Sequence, residues 1–529
     1  MSERQYIVTI NKGVDFDQFN QEMVNQFGSE TIPARTVDVP DPMPLSKRNT
    51  VYALSNEEAQ VLRNDSRVRA VELTFDEDDS SFIEADAIQN SRFDKYIVAS
   101  SGADFNYVNW GLRRCIEKDN SLWGTNEFVG APTNGIIPSN DEYRYVLDGT
   151  GVDVVIHDTG VHLSHPEFDD ANGNSRVVQY DWYSTPGASG SLPAGYYSSA
   201  RIDNHGTNVA SIVAGKTYGW AKNAAIYDLT CVTSSWKIDP VVSLQLLRAW
   251  HNNKSVDPAT GVKRPTVVNA SWSYYWGYNF NDVTQIDYRN SSKTGGQIAT
   301  QALRDSYGFV ANAAGKYNQY HTSLQTEIED CIEDGIHFVT SAGNRSFMVD
   351  VPGGQDYDNS VTDANGTRYY HRGKSPGGKA LGTDSSAVIV VGNIDRDIDT
   401  VSGKERKHES SETGPGVDVY APGTRIAGAW ASATGGYWTY PENGSFFAGH
   451  YNTGSSFSAP QVAGVVAMFL QMNPQATPEQ AKEWIMQNSI DGEVNQPEFN
   501  YAGDYHSLLG GDGKYLFSPI NSDTVLNIE

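Results

Sequence analysis

Three serines, Ser455, Ser456 and Ser458, stand within four positions in NTGSSFSAPQVAG (452–464), at the head of an apolar run. A serine hydroxyl is a poor nucleophile until a positioned base, usually a histidine oriented by a carboxylate, takes its proton. In open α/β sheets such partners gather beyond the carboxyl ends of the strands. The strand-like run VDVVI (152–156) leads into His157-Asp158-Thr159-Gly160, leaving a carboxylate at a strand end in a tight turn. Asp203-Asn204-His205-Gly206-Thr207 opens a helix striped by Val209, Ile212 and Val213, which puts His205 at a helix N-terminus. FVTSAGN (338–344) is an apolar strand ending in Ser341-Ala342-Gly343-Asn344, where an amide would donate to a developing oxyanion. Taken alone, each segment is most often ordinary turn or structural chemistry. After Ser456 the run through Val462, Val465, Met468 and Leu470 has no polar face, so it reads as a buried helix whose N-terminal N–H groups also serve an oxyanion. Ser458 occupies the second glycine position of G-x-S-x-G, which disfavours an α/β-hydrolase elbow.

The elements that must position these groups follow from periodicity. From about Asn109, continuously apolar runs such as AAIYDLTCV, TVVNASW and AVIVVGN alternate with helical ones, the pattern of a parallel sheet covered on both faces. Ahead of them, residues 1–78 read as a small α/β unit: strand YIVTI, helix FDQFNQEMVNQFG, strand TVYALS, a helix capped by Ser55 with Glu58, and strand VRAVELT, with a further strand expected near 35–41. That is the content of a ferredoxin-like α+β domain. Residues 79–107, which begin within the charge run FDEDDSS (75–81), read as an acidic polar linker, and 491–529 as an irregular C-terminal appendage. Thr477-Pro478-Glu479-Gln480 signals a capped surface helix.

Taken in the order Asp, His, Asn, Ser, these segments resemble the subtilisin-like serine proteases (subtilases, peptidase S8). VVIHDTGVHLSHPEF (154–168) is similar to the family's Asp block, DNHGTNVASIVAG (203–215) to its His block, FVTSAGN to its oxyanion block and NTGSSFSAPQVAGVVA to its Ser block. WGLRRC (110–115) and SSETGPGVDVYAPGTRI (410–426) add to a resemblance that covers roughly residues 108–490. It implies a three-layer subtilisin-like α/β fold with a central parallel sheet over 108–490. It further implies Ser456 as nucleophile, His205 as general base and acid, Asp158 as its orienter, and Asn344 with the Ser456 N–H as oxyanion donors. Ser455 and Ser458 become scaffold. Ser271, Trp272 and Ser273 would line one wall of the substrate cleft and Ser341, Ala342 and Gly343 the other. The reaction implied is endopeptidase hydrolysis of a polypeptide through an acyl-enzyme. The N-terminal unit is similar to the family's inhibitor-type propeptide, which implies a self-inhibited zymogen cut between about 75 and 107.

The chain departs from the family in places. It has Gly454-Ser455-Ser456 for the usual Gly-Thr-Ser, Ser273-Tyr274 where a glycine pair is common, and Asn208 where many members carry a second histidine. Insertions at 274–325 and 346–382 are expected to decorate the cleft rim. No cofactor is expected for the chemistry. A structural calcium is a weaker expectation, at Asp169, Asp170, Asn172 and Asn174 or at Asp356, Asp358 and Asn359, residues that read first as solvated turns. His157, His162 and His165 do not make a zinc site, because His157 should point away from Asp158 on its strand.

A net charge of −26 disfavours nucleic acid and anionic membranes as partners. Three distant cysteines give no disulfide framework, and neither a signal peptide nor a membrane-spanning run is seen, so an intracellular or virion-associated protein is expected. The alternative function is a structural or assembly protein that retains the subtilase fold with an uncleaved N-terminal domain.

Overall fold

The computed structural model describes residues 3–11, 13–25, 31–40, 49–73, 89–92, 94–98, 104–118, 142–198, 201, 203–232, 236–238, 240–258, 260–272, 276–279, 282–310, 316–319, 322–364, 368–370, 382, 385–396, 402–431, 438–439, 448–495, 508 and 510–520. The chain divides into two compact units, Met1–Ala87 and Ile88–Glu529.

In the first unit, β1 (Arg4–Ile10) lies between β2 (Asn49–Leu54) and β3 (Val68–Leu73), antiparallel to both. Alternation along β1 buries Tyr6, Val8 and Ile10 against Phe19 and Met23 of α1 (Phe16–Val24). The Asp15 carboxylate caps α1 through the Gln18 N–H, and a Ser55–Glu58 capping box starts α2 (Asn56–Leu62). The strand expected near 35–41 is absent from the described residues 31–40, which are irregular and touch β2 at Ala53, whose N–H donates to the Asp38 carbonyl (3.0 Å) and whose carbonyl accepts from Arg35 Nη2 (3.0 Å). Pro33 and Pro40 bracket this stretch and cannot donate to a ladder.

The second unit is built on a seven-stranded parallel sheet. In chain order its strands are β4 (Asp153–Asp158), β5 (Val177–Val178), β6 (Ala225–Thr230), β7 (Thr266–Ala270), β8 (His337–Ser341), β9 (Ile389–Ile394) and β10 (Val419–Pro422). Their spatial order is β10-β9-β8-β7-β4-β6-β5. Helix α3 (Trp110–Ile116) packs on β10, with the Trp110 indole N–H donating to the Thr424 carbonyl (3.1 Å). Helix α4 (Asn204–Ala214) and α7 (Ser455–Met472) pack together on one face; α5 (Pro240–Asn252) and α6 (Thr322–Glu333) pack together elsewhere. Side chains of β4 assign the faces: Asp158 reaches α4 through His205, whereas its neighbour His157 reaches α5 through Ser243. Helix α8 (Pro478–Asn488) has the expected Thr477–Gln480 capping box and proline start. Ser455 through Leu470 of α7 are all buried, as the absence of a polar face requires.

Two sequence boundaries change. Part of the expected linker is paired: Gln89–Arg92 with Glu142–Tyr145, and Asp94–Val98 with Asp104–Val108. Aromatic and β-branched residues in KYIV and FNYV outweigh the polar surroundings on which a linker was expected. The C-terminal segment is irregular but is no appendage, since Leu508, Tyr515, Leu516 and Ile520 belong to the main core. Tyr420 N–H donates to the Lys514 carbonyl (2.8 Å) and Leu516 N–H to the Tyr420 carbonyl (2.9 Å), so residues 514–516 cover the open edge of the sheet at β10. Its lack of periodicity reflects burial on several sides.

The two insertions co-fold. Val283–Tyr288 of the first pairs with Ser360–Asp363 of the second, flanked by Ser291–Thr294 and Arg368–Tyr370 in a four-stranded sheet over Ile286, Ile298, Phe309 and Val361. Arg289 grips both oxygens of Asp356 (2.8 and 2.9 Å) across the two segments. Among the described residues no helix is long and apolar enough to cross a membrane.

Candidate active site

The carboxyl ends of β4, β7 and β8 and the N-terminal ends of α4 and α7 supply the candidate residues. Asp158 is the last residue of β4 and fully buried; its Oδ1 accepts from the Thr159 N–H (2.6 Å) and from His205 Nδ1 (2.7 Å). His205 is held in place because Gly206 lies directly on the Asp-Thr-Gly turn. Gly206 N–H donates to Thr159 Oγ1 (2.9 Å), and a Cβ on Gly206 would stand 2.3 Å from the Gly160 carbonyl oxygen. Only glycine allows that approach. Burial alone would lower the His205 pKa, but the charge and hydrogen bond of Asp158 together outweigh it and raise the value above that of an ordinary imidazole. With Nδ1–H committed to Asp158, Nε2 is the free base.

Ser456 sits in the first turn of α7, next to Phe457, whose ring centroid is 5.5 Å from that of His205. Its Oγ–H donates to the Ser271 carbonyl (3.0 Å). Ser271 also answers a local defect. Pro460 lies inside α7 and has no N–H to give the Ser456 carbonyl four residues back, and Ser271 Oγ donates to that carbonyl instead (2.8 Å). The Ser271 hydroxyl is itself held by Asn269 Nδ2 (2.8 Å).

Asn344 is exposed just beyond β8. Its Oδ1 accepts from the Ser455 N–H (2.8 Å) and from Ser455 Oγ (3.1 Å), which leaves both N–H bonds of the amide to point elsewhere. The Ser455 hydroxyl in turn accepts from the Gly343 N–H (3.0 Å). Gly454 precedes them at φ 151°, where a Cβ would press on the Asn344 amide nitrogen at 3.2 Å. Ser455 therefore does more than fill a scaffold position: it bridges the Asn344 loop to the Ser456 helix. Sequence reading passed over this role, whose one sign is the hydroxyl kept where the family has threonine.

The remaining expected residues fall as follows. Ser341 ends β8, and Ala342 and Gly343 are buried behind Asn344, their backbones tied to Val391 and Glu412. Trp272 is partly buried with its ring edge-on to His157 (centroids 5.3 Å apart). Ser273 lies outside the described residues. Asn208 Nδ2 donates to the Ala429 carbonyl (3.1 Å), tying α4 to its neighbour. His157 Nε2 meets Ser243 Oγ at 2.7 Å on the far face of the sheet, and burial pushes its pKa down to about 3.

At the residues considered for calcium, Asp170 and Asp356 make internal bonds. Asp170 Oδ1 accepts from the Asn172 and Asn174 N–H groups (2.8 Å each), and Asp356 is spent on Arg289. Among the described residues no group of three or more potential metal ligands converges.

The sequence profile of the subtilase family (peptidase S8) matches residues 149–504. The chain belongs to the subtilase family. This subtilase is 23% identical over 500 residues to the alkaline serine exoprotease A of Vibrio alginolyticus, covering 94% of this chain and 65% of that protein. It is 24% identical over 385 residues to proteinase R of Parengyodontium album, covering 72% and 68%. The chain thus spans about two thirds of the length of these relatives. Among solved structures it is similar to a cold-adapted subtilisin-like serine proteinase (21% identity, 77% of this chain and 97% of that one, TM-score 0.43).

Proposed function

We propose that this subtilase is a serine endopeptidase with Asp158, His205 and Ser456 as its triad. The observation that carries the reading is the 2.7 Å bond from His205 Nδ1 to the buried Asp158, on a histidine that packs against the residue next to Ser456. In the reaction, Ser456 Oγ leaves the Ser271 carbonyl, gives its proton to His205 Nε2 and attacks the substrate carbonyl carbon. The oxyanion is held by Asn344 Nδ2 and the Ser456 N–H, the latter among the first-turn donors that have no partner within the helix. His205 then protonates the leaving amine, and the acyl-enzyme is hydrolysed by water that His205 deprotonates. The Ser271–Trp272 and Ser341–Gly343 segments form the cleft walls. The family and its proteolytic relatives support a polypeptide substrate.

The N-terminal unit is read as a propeptide that inhibits in cis until it is cut between about residues 75 and 107. Its separate compact core and the acidic run that follows it support this reading. The test combines fluorophosphonate labelling with intact mass for wild type and Ser456→Ala. Labelling and loss of the N-terminal segment in wild type alone are expected. If neither chain is labelled or shortened, a structural protein that keeps its N-terminal domain is the better description.

A further inference from the structure

Arg201 is 4% exposed, and the protein itself consumes its guanidinium. Nε pairs with Asp203, which flanks the start of α4 two residues before His205, and Nη1 donates to the Tyr196 carbonyl. Nη2 donates to Asp228 Oδ2 (2.8 Å) and Thr230 Oγ1 (2.6 Å). Thr230 is the register partner of Asp158 across the β6–β4 pair. Gly160, which ends the Asp-Thr-Gly turn, lies against the same group: at φ 123° its missing Cβ would fall 1.4 Å from Nη2. One planar fork thus touches the turn that carries Asp158, the strand beside it and the residue that leads into His205.

We propose that Arg201 is a positioning residue for the triad, fixing the Asp158–Gly160 turn and the N-terminus of α4 at the separation the Asp158–His205 bond requires. The inference rests on the triad reading above. Charge supports the geometry. The charge that acts on His205 directly is Asp158 on β4. Arg201 in turn faces Asp203 on the approach to α4, Asp228 on β6 and His162 after β4, whose pKa burial and the Arg201 charge keep below the usual imidazole value. Tyr196 and Tyr197 stay neutral, their pKa values raised by burial. Arg201 is the permanent cation of this set, set against three carboxylates. Without it the field at His205 turns more negative and the imidazolium is favoured. Lysine would keep the charge but lose the fork that reaches three elements at once.

The test is the rate of Ser456 phosphonylation by a fluorophosphonate across pH, on the full chain and on its processed product where one forms. In Arg201→Lys the high-pH plateau is expected to fall roughly tenfold with the midpoint in place, the cost of slightly misplaced reacting groups. In Arg201→Met the plateau falls at least as far and the midpoint moves up by about half a unit or more. A wild-type plateau in both variants overturns the proposal. So does a fall in Arg201→Met that tracks a lowered melting temperature and leaves the midpoint where it was. Should Arg201→Met not fold, the Arg201→Lys plateau decides alone. Failure of the triad reading looks different: wild type itself would not label, or Ser456→Ala would label equally well.

Discussion

Ser455→Ala isolates the bridge between the Asn344 amide, proposed as an oxyanion donor, and the helix of Ser456, the proposed nucleophile. It deletes the bond from Ser455 Oγ to Asn344 Oδ1 (3.1 Å) and the acceptor of the Gly343 N–H (3.0 Å), but keeps the bond from the Ser455 N–H to Asn344 (2.8 Å). Two lost bonds of about 0.5–1.5 kcal/mol each set the stability cost at about 1–3 kcal/mol. The catalytic cost is bounded separately. Removing an oxyanion donor outright costs about 2.7–4 kcal/mol, a figure that itself comes from a subtilisin. Because Asn344 retains one of its two anchors, we expect a smaller loss, about tenfold in the phosphonylation or peptide-hydrolysis rate, or about 1.4 kcal/mol. The loss acts through Asn344, so it should vanish in its absence: in an Asn344→Ala background, Ser455→Ala is expected to cost under about 0.5 kcal/mol. Ser455→Thr, which keeps the hydroxyl, should leave the rate nearly unchanged. A tenfold loss that persists in the Asn344→Ala background would show that Ser455 acts by some route other than the amide, and the reasoning would fail.

In the proposed triad the neutral form of His205 is the base, and its pKa is raised, so the rate should fall as pH drops through a midpoint above 6.5; a midpoint at or below 6.5 contradicts the Asp158 coupling. Gly206→Ala would drive a methyl into the Gly160 carbonyl and separate His205 from Asp158, lowering kcat by about a hundredfold, as read in a peptide-hydrolysis assay. Burial, then the hydrogen bond and charge of Glu405, raise the Glu493 carboxyl to about 7, beside Arg114 at 3.5 Å. A carboxyl raised in the fold favours the folded state most when protonated, so this contribution is fully present below about 4.5 and is lost as pH rises through 7. Glu493→Gln should therefore raise the melting temperature at pH 8 relative to wild type and change it little at pH 5, as followed by thermal unfolding.

How much could be read from sequence depended on how local each signal was. Asp158, His205, Asn344 and Ser456 each lie at a strand end or helix start whose apolar pattern is continuous, so pattern and chemistry marked the same positions. The capping boxes at Ser55 and Thr477 were legible for the same reason, since donor and acceptor lie three residues apart. Arg201 was not: its partners, Asp203, Asp228 and Tyr196, come from three elements, and a lone arginine in a polar stretch carries no periodic sign. The expected strand near 35–41 failed because apolar alternation ignores the donors that prolines remove. The C-terminal segment was undervalued because a strap buried on several sides has no period to detect. The pairing of the two insertions depends on contacts such as Gln285 with Thr362, far apart in the chain.

The site is also a consequence of strand order. Residues 158, 271 and 344 belong to the ends of β4, β7 and β8, which are adjacent in space because the chain visits the sheet out of sequence. Parallel strands all end at the same edge, so every such end delivers its first loop residues to one crevice. Helices α4 and α7 return to that edge with their N-termini, where unpaired N–H groups and the dipole favour developing negative charge. Pro460 fits this arrangement. A proline five residues after Ser455 would weaken an ordinary helix, but here the carbonyl it frees belongs to Ser456 and is taken up by Ser271 from the neighbouring wall. The backbone of Ser456, the proposed nucleophile, is thereby fastened to Ser271 instead of only to its own helix. Ser271→Ala should accordingly slow acylation of Ser456 and destabilise the start of α7 together, whereas a defect confined to general helix stability would leave the limiting rate at saturating substrate unchanged.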